Sequence, residues 1–218
     1  MEKNTIKRYS LSKQVADKLE KMIENHIYKV DEKIPTEADL MKKFDVSRNT
    51  IRESVQSLVS AGILEVRQGD GTYVRSNNRF DAGMQRILKG TKYQDINETR
   101  KTLEISIAFL AALRRTEEDL DRIKEALIER QRQDTNEREH TILDIKFHME
   151  IAKSCGNILL VTLYKSLYSY LIENISKRTV KTSLTNEQID QLHIDLYEAI
   201  AESDGEKAKD VARKILSI

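Results

Sequence analysis

A chain of 218 residues, 33% of them charged and 39% hydrophobic, is neither disordered nor membrane-like, and its length suits two modest domains. Its single cysteine, Cys155, excludes an internal disulfide framework and fits a reducing, cytoplasmic setting; the start, MEKNTIKRYS, lacks a signal-peptide core and no apolar run is membrane-length. The formal net charge is +1, and residues 1–75 carry 14 basic against 12 acidic side chains, so charge alone does not point to nucleic acid.

In chain order, residues 11–27 predict a helix with Val15, Leu19, Met22, Ile23 and Ile27 on one stripe. After Pro35, Thr36-Glu37-Ala38-Asp39 has the form of a capping box opening a short helix through Phe44. Asp45-Val46 makes a tight turn, and Ser47 caps a helix to Ala61 that ends at Gly62. Residues 63–66 and 72–74 are strand-like runs around the glycine-rich Arg67–Gly71, which predicts a β-hairpin. Residues 76–95 read as a polar connector with a short helical piece around Met84–Leu88. Beyond it every segment has helical period: about 97–114, 117–132, 138–155, 157–177, 186–202 and 204–216, with capping boxes at Thr116/Asp119 and Ser203/Glu206. The expected fold is mainly α: a winged helix-turn-helix of three helices plus a hairpin wing (1–76), a linker (77–95) and an all-α bundle of about six helices (96–218).

Ser47-Arg48-Asn49-Thr50-Ile51-Arg52 carries the first chemistry. Free N–H groups and the positive dipole end at a helix start attract phosphate, and Ser47 and Thr50 add hydroxyls. Arg48 and Arg52, four apart, share a face and suit phosphate or guanine, while Asn49 suits adenine. Such a helix after a tight turn matches docking in the major groove, with Gln68 and Gly69 of the hairpin tip against the backbone. A solvated helix face with two arginines is the competing reading.

Residues 34–74, IPTEADLMKKFDVSRNTIRESVQSLVSAGILEVRQGDGTYV, resemble the winged helix of the GntR family. The resemblance implies DNA contacts from Ser47, Arg48, Asn49, Thr50 and Arg52, with Gln68 and Gly69 at the wing. Ala38 stands where members often carry arginine, and Gln68 where some carry histidine.

The rest resembles the helical FCD sensor domain, through Arg100-x-x-Leu103-Glu104 with Ala111-Ala112, Asp144-x-x-x-His148, Ser154-x-Gly156-Asn157 and His193. From the residues alone, Asp144 and His148 lie one above the other on a helix face, and His193 sits on an apolar stripe. Two readings fit: a divalent zinc, nickel or iron ion held by Asp144, His148 and His193, or Asp144 simply accepting a hydrogen bond from a histidine. The family pattern of one aspartate and three histidines implies the metal, but its last ligand would fall at Ile215, which cannot coordinate. Arg100, inward-facing by resemblance, is a candidate clamp for a carboxylate effector together with Asn157; a salt bridge to Glu104 is the alternative. Tyr164, Tyr168 and Tyr170 offer hydroxyls or serve as core edge.

The expected protein is a homodimeric, effector-responsive regulator, by family habit a repressor, on a pseudo-palindromic DNA operator. A helical metal-dependent enzyme using Asp144, His148 and His193, and a winged helix that binds protein, are the rivals.

Overall fold

The computed structural model describes residues 10–132, 134–173 and 184–217. The chain divides into two compact units, Met1–Ile87 and Leu88–Ile218.

In the first unit, α1 (Leu11–Glu24), α2 (Glu37–Phe44) and α3 (Arg48–Ser60) precede a hairpin of β1 (Leu64–Arg67) and β2 (Gly71–Val74). The side chains of Ser10, Thr36 and Ser47 each accept a backbone N–H at the start of one helix. Asp45 ends α2 in the left-handed region, φ 52°, which aspartate tolerates better than most residues, so α3 follows at once. Leu19, Ile23, Leu40, Ile51, Leu58 and Ile63 close the core. Burying each such side chain contributes about 1.5–3 kcal/mol. The buried Ser54 hydroxyl lies 2.7 Å from both the Ser12 and Thr50 carbonyls, tying α3 to the start of α1. In the hairpin Leu64 faces Val74 and Arg67 faces Gly71. The Ile34 N–H donates to the Thr72 carbonyl at 2.9 Å, which anchors the wing to the stretch before α2.

The predicted polar connector is instead mostly helical. A helix α4 covers Arg79–Gly90, well beyond the expected Met84–Leu88 piece. The Asn78 side chain accepts the Asp81 N–H at 2.9 Å, and Ala82 and Leu88 are buried. Arg79 grips the buried Glu20 of α1 through three hydrogen bonds of 2.8–3.1 Å. These tertiary partners override a local sequence that Gly83 and its polar neighbours make look unstructured.

The second unit holds α5 (Tyr93–Arg114), α6 (Glu117–Arg130), α7 (Glu137–Ser154), α8 (Ile158–Glu173), α9 (Asn186–Ala201) and α10 (Gly205–Ile215). α5 starts four residues before the expected 97, and the predicted extension of α8 to 177 lies outside the described residues. Reciprocal capping boxes open α6 (Thr116/Asp119), α7 (Asn136/Glu139) and α9 (Thr185/Gln188). The box expected at Ser203/Glu206 does not form. Ser203 takes a left-handed φ of 59°, and Asp204 caps α10 by accepting from Lys207 N–H at 2.9 Å. Gly205 begins α10 flush against α5; a Cβ there would meet the Phe109 ring at 2.9 Å. α10 packs on α5 and α9, and α7 packs on α5, α6 and α8, around Phe147, Tyr164, Ile123, Ile151, Leu196 and Ile200. Among the described residues no helix is long and apolar enough to cross a membrane.

Candidate functional site

The first unit presents its chemistry at the start of α3. Ser47 caps the helix by accepting the Thr50 N–H at 3.3 Å, and the two hydroxyls lie 2.9 Å apart. Ser47, Arg48, Asn49 and Arg52 are exposed, and Thr50 is half-buried. Arg48 is held at its root by Glu37 of α2, Nε to Oε2 3.2 Å, while 75% of its side chain stays open to a partner. At the wing tip Gln68 and Gly69 are exposed, and Gly69 turns at φ 76°, where a side chain would be strained. Arg67 stacks on the Tyr73 ring 3.9 Å from its centroid, and Asp70 accepts from Tyr73 and Lys33, so the tip is braced from its own strands and from the stretch before α2. Ala38, exposed on α2, offers no polar group to DNA.

In the second unit the structure brings Asp144, His148 and His193 together, one ligand atom from each within 4.8 Å of the others. Asp144 and His148 share a face of α7, and α9 supplies His193. Phe147 lies edge-on to both imidazoles, at 5.3 and 5.6 Å, and fixes their tilt. His193 Nδ1 donates to the Ile189 carbonyl at 2.7 Å. That commitment leaves Nε2 as the free nitrogen. It is buried and points into the cluster, 3.2 Å from Asp144 Oδ1. Fixing one ring nitrogen on a carbonyl so that the other faces an ion is how proteins present histidine to metals. The His148 imidazole is turned the same way, Nε2 4.0 Å from Asp144 Oδ2 and Nδ1 3.8 Å from Glu104 Oε2.

Charge supports the same arrangement. Burial pushes His148 down to about 3, so the ring is neutral and able to ligate at physiological pH. Burial pushes the Asp144 carboxyl up, but His193, His148 and Arg130 outweigh it and hold it well below the usual carboxylate range. The histidines are nearly closed off, whereas 33% of the Asp144 side chain is accessible, so the cluster opens at its carboxylate. One carboxylate and two imidazoles are a donor set for a borderline divalent ion and leave coordination positions for water or ligand oxygens. The cluster could hold a metal ion. Ile215, at the end of α10, packs against the apolar core and adds no donor.

The salt-bridge alternative for Arg100 is realised: its Nε is 3.1 Å from Glu104 Oε1, and only 17% of its side chain is exposed. Glu104 also accepts from Tyr168 and faces His148, so Arg100 and the imidazole share one carboxylate. Burial raises the Glu104 carboxyl despite Arg100 and Tyr168. The Tyr164 hydroxyl is buried, and its ring packs on that of Tyr168 with centroids 4.3 Å apart. Asn157 stands apart in role: its Oδ1 accepts from the Leu159 and Leu160 N–H groups at 3.1 and 3.3 Å and starts α8. Sequence reasoning missed Arg130, the last residue of α6, which is 1% exposed and donates to both Asp144 and Asp190. A basic residue in a final helical turn carries no mark that distinguishes it from a surface one.

The comparisons with known proteins agree with both halves. The gntR family of bacterial regulatory proteins matches residues 11–74, and the FCD domain matches 95–217. The HTH-type transcriptional regulator LutR of Bacillus subtilis (strain 168) is 31% identical over 200 residues, covering 86% of this chain and 90% of the relative. The galactonate operon transcriptional repressor of Escherichia coli (strain K12) is 29% identical over 193 residues, 84% of each. The solved structure of Streptococcus agalactiae GntR is 31% identical with a TM-score of 0.57, covering 94% of this chain and 97% of that one. With a capped and exposed α3 ahead of a six-helix unit, the chain belongs to the gntR family, in the branch with an FCD effector-binding domain, and is a DNA-binding transcriptional regulator, not an enzyme.

Proposed function

We propose that the chain acts as a homodimeric repressor whose two α3 helices address the halves of a pseudo-palindromic operator. Ser47, Arg48, Asn49, Thr50 and Arg52 contact DNA from the helix start, and Gln68 and Gly69 approach the backbone from the wing. Asp144, His148 and His193 would hold a divalent ion, which would supply a Lewis-acid contact for a carboxylate effector, and Arg100 would neutralise that effector's charge. Galactonate, which gives its name to the operon of one relative, is a compound of this chemistry, a polyhydroxy carboxylate.

The observation that carries the sensor half is the convergence of Asp144, His148 and His193, with the buried Nε2 of His193 aimed into the cluster while its other ring nitrogen is held by the Ile189 carbonyl. Effector oxygens at the cluster and Arg100 would alter the Arg100–Glu104–His148 chain. A ligand that binds the two operator-affinity states differently shifts their populations, and that shift changes operator affinity. The test is selection of operator sequences with the full chain, followed by titration with sugar acids and small hydroxy acids. Tight binding to an inverted repeat, with affinity altered at least about 5-fold by one acid, is expected of a coupling of 1–3 kcal/mol. Operator affinity indifferent to every acid would overturn the effector reading.

A further inference from the structure

Arg130 is the most deeply buried charged side chain described, at 1% exposure, and it stands where α6 ends. Its two arms go to different helices. Nε donates to Asp144 Oδ1 of α7 at 2.7 Å, and Nη1 donates to Asp190 Oδ1 of α9 at 2.5 Å. Those are the two helices that carry the candidate ligands, and Asp190 precedes His193 by three residues, on the same side of α9. The remaining donors are fixed in other ways: His148 faces Glu104, and His193 is held by the Ile189 carbonyl. Asp144 and His148 each face a group from a further helix, Arg130 of α6 and Glu104 of α5, and of these two contacts the one to Asp144 is at hydrogen-bond distance, 2.7 Å against 3.8 Å.

We propose that Arg130 is the positioning residue of the metal centre: its guanidinium spans Asp144 and Asp190, sets the distance between α7 and α9, and pins one Asp144 oxygen so that the carboxylate is aimed at the histidines. The proposal rests on the metal reading of Asp144, His148 and His193. A planar fork with fixed donor directions can hold two carboxylates at once, which the single ammonium of lysine cannot do with the same geometry. The fork also explains how three protein ligands suffice where Ile215 supplies none. With Asp144 immobilised, less ordering is left for the ion to impose. Partners that orient metal ligands from outside change metal affinity by about 10–100-fold when removed.

The experiment is competition of the full-length protein against a chromophoric chelator for Zn²⁺ and Ni²⁺, with thermal unfolding measured in parallel on chelator-stripped protein. Arg130→Lys and Asp190→Ala are the variants. The second leaves the Arg130–Asp144 bond in place and removes only the acceptor on α9, so it serves if the first fails to fold. Each is expected to weaken both ions by about 10–100-fold relative to wild type. A purely structural ion triad would instead lower the melting temperature and leave the affinity of the folded protein unchanged, and that result overturns the positioning role alone. Wild-type protein that takes up neither ion would overturn the metal reading together with this one and leave Arg130 as the resident cation of Asp144.

Discussion

Replacing Arg48 and Arg52 together by alanine is expected to remove sequence-specific operator binding while the protein stays folded. Both side chains are exposed at the start of α3, and the ion pair that disappears with them, Arg48 to Glu37, lies on the surface. Such pairs contribute about 0–1 kcal/mol. A bidentate arginine contact to a base is worth about 1–3 kcal/mol of discrimination. Two such contacts together therefore predict a loss of roughly 30-fold to 10⁴-fold in specific affinity. Removing an arginine that touches phosphate also lowers the salt slope of binding by about one. Fluorescence anisotropy on the selected operator, at two salt concentrations, reads both quantities. Unchanged affinity in a folded double variant would favour a winged helix that docks on protein.

Asp144→Ala is expected to have the largest effect on the sensor unit. Asp144 is the acceptor for Arg130 and the charged neighbour of both cluster histidines. Its loss leaves a guanidinium at 1% exposure with Asp190 as its remaining carboxylate. Breaking a buried ion pair from one side costs about 3–5 kcal/mol; the accessible part of Asp144 and the surviving Asp190 contact place this case toward the lower figure. Thermal or urea unfolding of chelator-stripped protein should show that drop, and Asp144→Asn, which keeps an oxygen for Arg130, should recover part of it. A change below about 1 kcal/mol would mean that Arg130 does not depend on Asp144.

Much of this architecture is legible in the sequence because its punctuation is chemical. Thr36, Ser47, Thr116 and Thr185 each cap a helix within a residue or two of where the apolar periodicity begins. Asp45, Gly62 and Gly69 occupy backbone conformations that select their residue types. Asp144 and His148 are visible as a pair because spacing of four on one helix face needs no tertiary knowledge. What escapes is set by partners distant in sequence. The ordering of α4 depends on Glu20, 59 residues before Arg79. The burial of Arg130 depends on Asp190, 60 residues later. Glu104 looks like an ordinary i+4 partner of Arg100, yet it also faces a ring on α7 and a hydroxyl on α8. Asp204 in place of Ser203 as the cap of α10 is a local choice between two good capping residues, and the left-handed turn at Ser203 decides it.

The most direct test of a metal at Asp144, His148 and His193 is elemental analysis of the full-length protein purified without chelator and then equilibrated with zinc, nickel or ferrous ion. About one divalent ion per chain is expected, absent from Asp144→Ala and His193→Ala, with the bound form melting at higher temperature than the stripped form. Protein that retains and takes up no ion, with wild type and both variants alike, would contradict the metal reading and return the cluster to a hydrogen-bonded aspartate with two core histidines.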